Sequence, residues 1–176
     1  MTIPNFITIL RLAAVPLVVY ATIQGWYLFS FIVFVCAAIS DALDGYIAKR
    51  FDQSSELGAY LDPVADKALF VSLFVTLAAQ ELVPVWLAVL VVSRDAFIVT
   101  GIGVAALMDR PMPIDPLHIS RANTAAQGAL IALVLASVAF PVQVGQLLVM
   151  GTAAVTILTV GSALGYLAAW MRHLSD

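Results

Sequence analysis

Charge is what this chain has least of. Its 176 residues include 8 Lys and Arg and 11 Asp and Glu, together 11%, where a soluble domain carries about 25%. A surface built from so few charges does not suit water, which excludes an ordinary globular enzyme. The net charge of −3 comes with no basic stripe, so a nucleic-acid-binding protein is excluded as well. Cys36 stands alone, and one cysteine builds no disulfide scaffold. Repeats, long linkers and low-complexity segments are also missing, which leaves residues 1–176 to be read as one domain.

What the chain does have is apolar length. Hydrophobic residues make up 62%, with a mean hydropathy of +1.03. Gly, Pro or charge interrupts the apolar sequence at regular places, leaving segments over 6–24, 26–49, 58–79, 83–108, 120–139 and 146–171. At about 1.5 Å per residue a helix over each covers the roughly 30 Å of a bilayer's hydrocarbon. The expected fold is therefore all-α, a polytopic membrane protein of six transmembrane helices. Arg11 inside the first segment, with further spans behind it, argues against a cleaved leader.

The sparse basic residues give an orientation. Lys49, Arg50, Arg110, Arg121 and Arg172 lie at one set of helix ends, whereas the connections near Gln24-Gly25, Gln80-Glu81 and Pro141 to Gly145 hold no Lys or Arg. The positive-inside rule then places both termini and the 50–57 and 109–119 loops in the cytoplasm.

Ionisable residues within spans cost several kcal/mol unless they are paired, hydrated or bound to a cation, so they are the informative ones. Asp41 and Asp44 fall near the end of the second segment, and Asp62 and Asp66 near the start of the third. Spacings of three and four residues put each pair on one helix face. A hairpin through the 50–57 loop would bring the pairs to similar depth. Four converging carboxylates raise one another's pKa unless positive charge compensates, and Lys67, Lys49 and Arg50 are too few and too near the rim. One or two divalent cations supply the compensation. All-oxygen ligation suits Mg²⁺ or Mn²⁺, whereas zinc favours His or Cys. Gly45, Ala48 and Gly58 would let the second and third helices approach closely, leaving backbone open to a flat ligand. The plainer alternative is that the acids are solvated loop ends and the small residues ordinary packing.

Residues 41–66 read DALDGYIAKRFDQSSELGAYLDPVAD. This resembles the signature of the CDP-alcohol phosphatidyltransferase family, D-x2-D-G-x2-A-R-x8-G-x3-D-x3-D, matched at Asp41, Asp44, Gly45, Ala48, Gly58, Asp62 and Asp66. Lys49 stands where the family usually has Arg, a point charge in place of a bidentate fork. Asn5, Thr8 and Arg11 are similar to the family's N-terminal N-x2-T-x2-R element. The resemblance implies transfer of a phosphatidyl group from CDP-diacylglycerol to an alcohol, with release of CMP. It further implies that Asp41, Asp44, Asp62 and Asp66 hold two divalent cations and that Asp66 is the general base. The cytidine diphosphate moiety would lie against Asn5, Thr8, Gly45, Ala48, Lys49 and Gly58. Dimers are usual in the family, so a homodimer is expected, in a bacterial inner membrane with the site on the cytoplasmic side.

For the acceptor alcohol the candidate residues are Arg94 and Asp95, Arg110, and the run Arg121, Asn123, Thr124 and Gln127, of which Arg121, Thr124 and Gln127 can share a face. A mid-span Arg94 needs a partner or a wet cavity. Asp95 follows it directly but lies about 100° around the helix, so an anionic substrate or an acid across the bundle is the expected partner. His118 and His173 read as a loop and a tail residue. The runs Ser93-Arg94-Asp95 and Ile119-Ser120-Arg121-Ala122-Asn123-Thr124-Ala125-Ala126-Gln127 resemble those of the family's cardiolipin synthases. Gly58 to Lys67 is also shared with its phosphatidylglycerophosphate synthases. Phosphatidylglycerol is therefore the leading acceptor and glycerol 3-phosphate the alternative. From other classes, an ion-coupled transporter would want acids at the midplane or an inverted repeat, and neither is evident. An intramembrane prenyltransferase would leave the spacing of Gly45, Ala48 and Gly58 unexplained.

Overall fold

The computed structural model describes the backbone of residues 3–51, 56–107 and 118–175, with the side chains of residues 9–40, 65–101, 119–168, 170 and 171. The described residues form six helices and no strand. They are α1 (Ile3–Ile23), α2 (Tyr27–Phe51), α3 (Glu56–Ala79), α4 (Val85–Leu107), α5 (His118–Ala139) and α6 (Gly145–Ser175). These correspond one for one to the six apolar segments. The largest difference is at the end of α6, expected at 171 and found at 175. His118 opens α5 and His173 lies in the last turn of α6, so both belong to helices.

Three connections are short, and backbone chemistry closes them. At the end of α1, Gly25 takes φ +75°, its N–H donates to Thr22 O (3.1 Å), and Trp26 N–H donates to Ala21 O (2.8 Å). This is the paired hydrogen bonding of a Schellman cap, which satisfies carbonyls that a helix end otherwise leaves open. α3 ends in the same way, with Glu81 N–H on Ala78 O (3.0 Å) and Leu82 N–H on Leu77 O (2.9 Å). There the left-handed position is held by a residue with a Cβ, Glu81 at φ 59°. α4 starts behind Pro84, whose carbonyl accepts from Leu87 N–H at 3.0 Å.

The helices close a ring. α1 packs on α2 and α3, α2 on α5, α5 on α6, α6 on α4, and α4 back on α3, while α5 also reaches α3 across the middle. Among the described residues the apolar core includes Val18, Leu73, Phe74, Leu77, Leu87, Val91, Ile131, Leu135 and Val155, all fully enclosed toward the short turns. α6 comes near α5 at Gly161, where an added Cβ would stand 2.9 Å from Ile119 Cδ1. Outward faces are also apolar, with Ile32, Trp86, Val89, Val149, Met150 and Ile157 exposed. A helix apolar on every side belongs in lipid or in the middle of a large protein. α5 over Ile119–Ala139 and α6 over Gly145–Ala168, at mean hydropathies of 1.6 and 2.0, are long and apolar enough to cross a membrane. Ile9–Ile23 and Tyr27–Ser40 are shorter apolar stretches of described helix.

Candidate active site

The acidic motif falls on two consecutive helices. Asp41 and Asp44 are carried by the second half of α2, Asp62 and Asp66 by the first half of α3. The side chains of Asp41, Asp44, Gly45, Ala48, Lys49, Gly58 and Asp62 lie outside the described residues. Those of Asn5 and Thr8 on α1 do so as well, and so does Arg110. Asp66 is the member of the acidic set whose surroundings are described.

Arg11 of α1 reaches Asp66 of α3, its Nη1 donating to Oδ1 at 2.7 Å. The arginine side chain is 2% exposed and the carboxylate 35%, so the pair has a buried cation and an acid still open to one side. A guanidinium enclosed in this way needs an anion beside it. The opening leads into a cleft of about 610 Å³ between α1, α2, α3 and α5. Arg11, Asp66, Arg121 and Thr124 line the charged end, and Phe34, Ala37, Leu69, Phe70, Gly128 and Ala129 line the apolar remainder. Such a cavity suits a ligand with an anionic head and a hydrocarbon body. Arg121 is exposed, and the Thr124 hydroxyl donates back to Ser120 O at 3.2 Å. Gln127 is buried, so of the three residues expected to share a face, Arg121 and Thr124 line the cleft and Gln127 turns into the bundle.

Arg94 corrects one expectation. Its partner is the neighbouring Asp95, with Nη1 donating to Oδ1 at 2.7 Å, and not an acid across the bundle. Side chains one residue apart leave a helix in different directions, but the long arginine stem folds back far enough to meet the carboxylate. Nη2 donates to Ser120 Oγ of α5 at 2.6 Å and to Ser162 Oγ of α6 at 2.5 Å. The Tyr166 ring lies 5.9 Å from the guanidinium carbon, a cation–π distance. Lys67 Nζ of α3 approaches the same Asp95 oxygen at 2.6 Å. Arg94 is 5% exposed, enclosed by protein groups rather than lining the cleft.

Sequence reasoning passed over Arg11 as a site residue, although the rule applied to Arg94 covers it equally. An arginine inside an apolar span calls for an anion, and Asp66 was already singled out as an acid at similar depth. Asn123, one of the candidate acceptor residues, does not line the cleft. It is fully buried, and its Oδ1 accepts from Thr159 Oγ1 of α6 at 2.9 Å, holding α5 to α6 beside the site.

A family model described as CDP-alcohol phosphatidyltransferase matches residues 1–163. Among curated relatives, a probable cardiolipin synthase (CMP-forming) of Drosophila melanogaster is 36% identical over 151 residues, covering 77% of this chain and 47% of the relative. The cardiolipin synthase (CMP-forming) of Homo sapiens is 34% identical over 157 residues, 80% of this chain and 51% of its own. The chain thus spans about half the length of these two relatives. A CDP-diacylglycerol--glycerol-3-phosphate 3-phosphatidyltransferase of Pseudomonas fluorescens is 36% identical over an alignment of 191 residues, covering 99% of this chain and 92% of the relative.

Proposed function

The chain belongs to the CDP-alcohol phosphatidyltransferase family, and from that premise we propose that it transfers a phosphatidyl group from CDP-diacylglycerol to a glycerol-based alcohol, releasing CMP. The leading acceptor is phosphatidylglycerol, giving cardiolipin. One observation carries the reading: the Arg11–Asp66 pair stands at the charged end of a cleft whose remainder is apolar. A lipid with an anionic head can place its phosphate there and leave its tails toward α2 and α5. Glycerol 3-phosphate is the second reading, favoured by the likeness to the Pseudomonas protein over nearly the whole of both chains.

In the proposed reaction the acceptor hydroxyl oxygen bonds to the phosphatidyl phosphorus. The bond from that phosphorus to the CMP oxygen breaks, and the hydroxyl proton passes to the Asp66 carboxylate. The salt bridge from Arg11 orients that carboxylate. Asp41, Asp44 and Asp62, with Asp66, would supply an all-carboxylate donor set of the kind that two Mg²⁺ or Mn²⁺ ions take. When bound, such ions neutralise the pyrophosphate and the leaving group. Lys49, Asn5, Thr8, Gly45, Ala48 and Gly58 are proposed for the cytidine diphosphate moiety. Arg121, in the cleft, is the acceptor residue the geometry favours. Arg110 remains proposed beside it, whereas Arg94, enclosed by Asp95, Ser120 and Ser162 outside the cleft, is placed to tie helices together and not to touch the acceptor.

The setting follows from the helices. The shortest, α1, has 21 residues, which at about 1.5 Å each reaches roughly 30 Å. Six spans of one membrane domain, with both termini and the 50–57 and 109–119 loops on the cytoplasmic side of a bacterial inner membrane, accord with these lengths and with the basic residues. A homodimer is proposed by family analogy.

The test is an assay of purified protein with CDP-diacylglycerol and Mn²⁺ or Mg²⁺, offering each acceptor separately and following CMP and lipid product. Cardiolipin formed from phosphatidylglycerol alone supports the leading reading. Turnover of glycerol 3-phosphate with phosphatidylglycerol inert selects the second.

A further inference from the structure

α3 carries Asp66 and Lys67 in succession, so their side chains leave the helix about 100° apart. Each is tied to a different neighbour. Asp66 is held by Arg11 of α1 at 2.7 Å, and Lys67 by Asp95 of α4 at 2.6 Å. The rotation of α3 about its own axis is therefore restrained from two directions at the level of the proposed base. On the α4 side one Asp95 oxygen receives both Lys67 Nζ and Arg94 Nη1, and the Asp95 side chain is 8% exposed. Arg94 carries the restraint onward to Ser120 of α5 and Ser162 of α6. Asp95 is thus the shared anion of a strap joining α3 to three other helices, and it does not line the cleft that holds Asp66.

We propose that Asp95 is a positioning residue for Asp66: by anchoring Lys67 it fixes the azimuth of α3 and so the direction in which the Asp66 carboxylate meets the acceptor hydroxyl. Coulomb attraction at contact distance to a carboxylate that is itself buried holds the Lys67 ammonium. Without the anion two cations face each other, and Lys67, already 37% exposed, swings outward. α3 then loses its ionic tie to α4 while the Arg11–Asp66 tie to α1 remains. The proposal rests on the reading that Asp66 acts in phosphatidyl transfer. It adds a residue that touches neither substrate, as supporting groups around a site commonly lower activity about 10–100-fold when removed.

Steady-state kinetics of the full chain in detergent, with CDP-diacylglycerol, Mn²⁺ and whichever acceptor the wild type uses, test it. Asp95→Asn and Lys67→Met should each lower kcat about 10–100-fold with both KM values within about twofold. The double variant should be little worse than either single, because both remove one strap. Lys67→Arg should restore most of kcat. Thr22→Val removes a buried hydroxyl contact to Ser30 at the opposite end and serves as the comparison for stability loss alone. A wild-type kcat in Asp95→Asn alongside an inactive Asp66→Asn overturns the proposal and leaves the reading of Asp66 standing. A raised acceptor KM at unchanged kcat also overturns it, since Asp95 and Lys67 would then serve binding. If Asp66→Asn turns over normally, the reading of Asp66 fails and the proposal falls with it. Should Asp95→Asn not fold, the Lys67→Met and Lys67→Arg pair, altering a partly exposed side chain, decides alone.

Discussion

Among the described residues, the two halves of the helix ring differ in the polar bonds that predominate. Toward the short turns, hydroxyls bond mostly within their own helix: Thr22 to Val18 O at 2.8 Å, Thr76 to Ser72 O, Ser137 to Val134 O and Thr156 to Thr152 O each at 2.7 Å. Toward the other helix ends the described side chains also bond between helices, as in Arg11 with Asp66, Lys67 with Asp95, and Arg94 with Ser120 and Ser162, beside the intrahelical Arg94–Asp95 and Thr124–Ser120 bonds. A hydroxyl satisfied by its own backbone lets its helix rotate, and apolar packing of Leu on Leu tolerates modest rotation too. Ion pairs between helices do not, because a lost partner leaves a charge stranded in a dry place. The turn half supplies cohesion, and the other half supplies orientation at the proposed site.

If that division is right, the largest effects belong to the acids. Asp62→Asn and Asp44→Asn should each lower CMP release by roughly a thousandfold or more, on the scale of losing a member of a catalytic unit, while size-exclusion profiles stay close to wild type. Near-normal turnover in either would refute the metal-ligand assignment. Arg11→Leu crosses the division, removing a buried cation from the orienting half. Breaking a fully buried pair costs about 3–5 kcal/mol, and the 35% exposure of Asp66 places this variant toward or below the lower figure. Turnover per folded molecule should nevertheless fall, as measured by kcat normalised to the monodisperse fraction. A fall in yield with kcat intact would make Arg11 structural only.

Leu73→Ala tests the cohesive half. Leu73 is fully buried in the apolar core, and such truncations cost about 2–5 kcal/mol. Thermal unfolding in detergent should shift downward, yet kcat of the folded protein at low temperature should stay near wild type. Loss of kcat comparable to that of Asp95→Asn would erase the distinction between the halves.

The sequence is legible where the physics is local. Helix ends fall where Gly25, Pro84 or Pro141 interrupts the apolar run, and the Asp spacing on α2 and α3 carries the family signature. The order of helices around the ring is not legible, because helices apolar on every side carry no stripe to say which face meets which neighbour. Arg94 shows a second limit. Angular separation on a helix wheel predicts that it misses Asp95, but the wheel takes no account of a flexible stem several bonds long. Gly161 shows a third, since its near approach to Ile119 depends on a tertiary pairing that no local pattern announces.

The smallest predicted effect lies in the turn half and has the opposite sign. Glu81 occupies the left-handed position that closes α3, at φ 59°, where a side chain's Cβ crowds the following carbonyl at a cost of roughly 1–2 kcal/mol. Gly25 fills the equivalent position after α1 with no Cβ. Glu81→Gly should remove the strain while keeping both cap hydrogen bonds, which are made by backbone groups. Part of the gain returns as the greater freedom of glycine in the unfolded chain, leaving a stabilisation of about 0.5–1 kcal/mol. Thermal unfolding in detergent should move upward by a few degrees with kcat unaltered. A downward shift would show that the exposed Glu81 carboxylate contributes more than its backbone strain costs. Altered kcat would show that the turn half reaches the site after all.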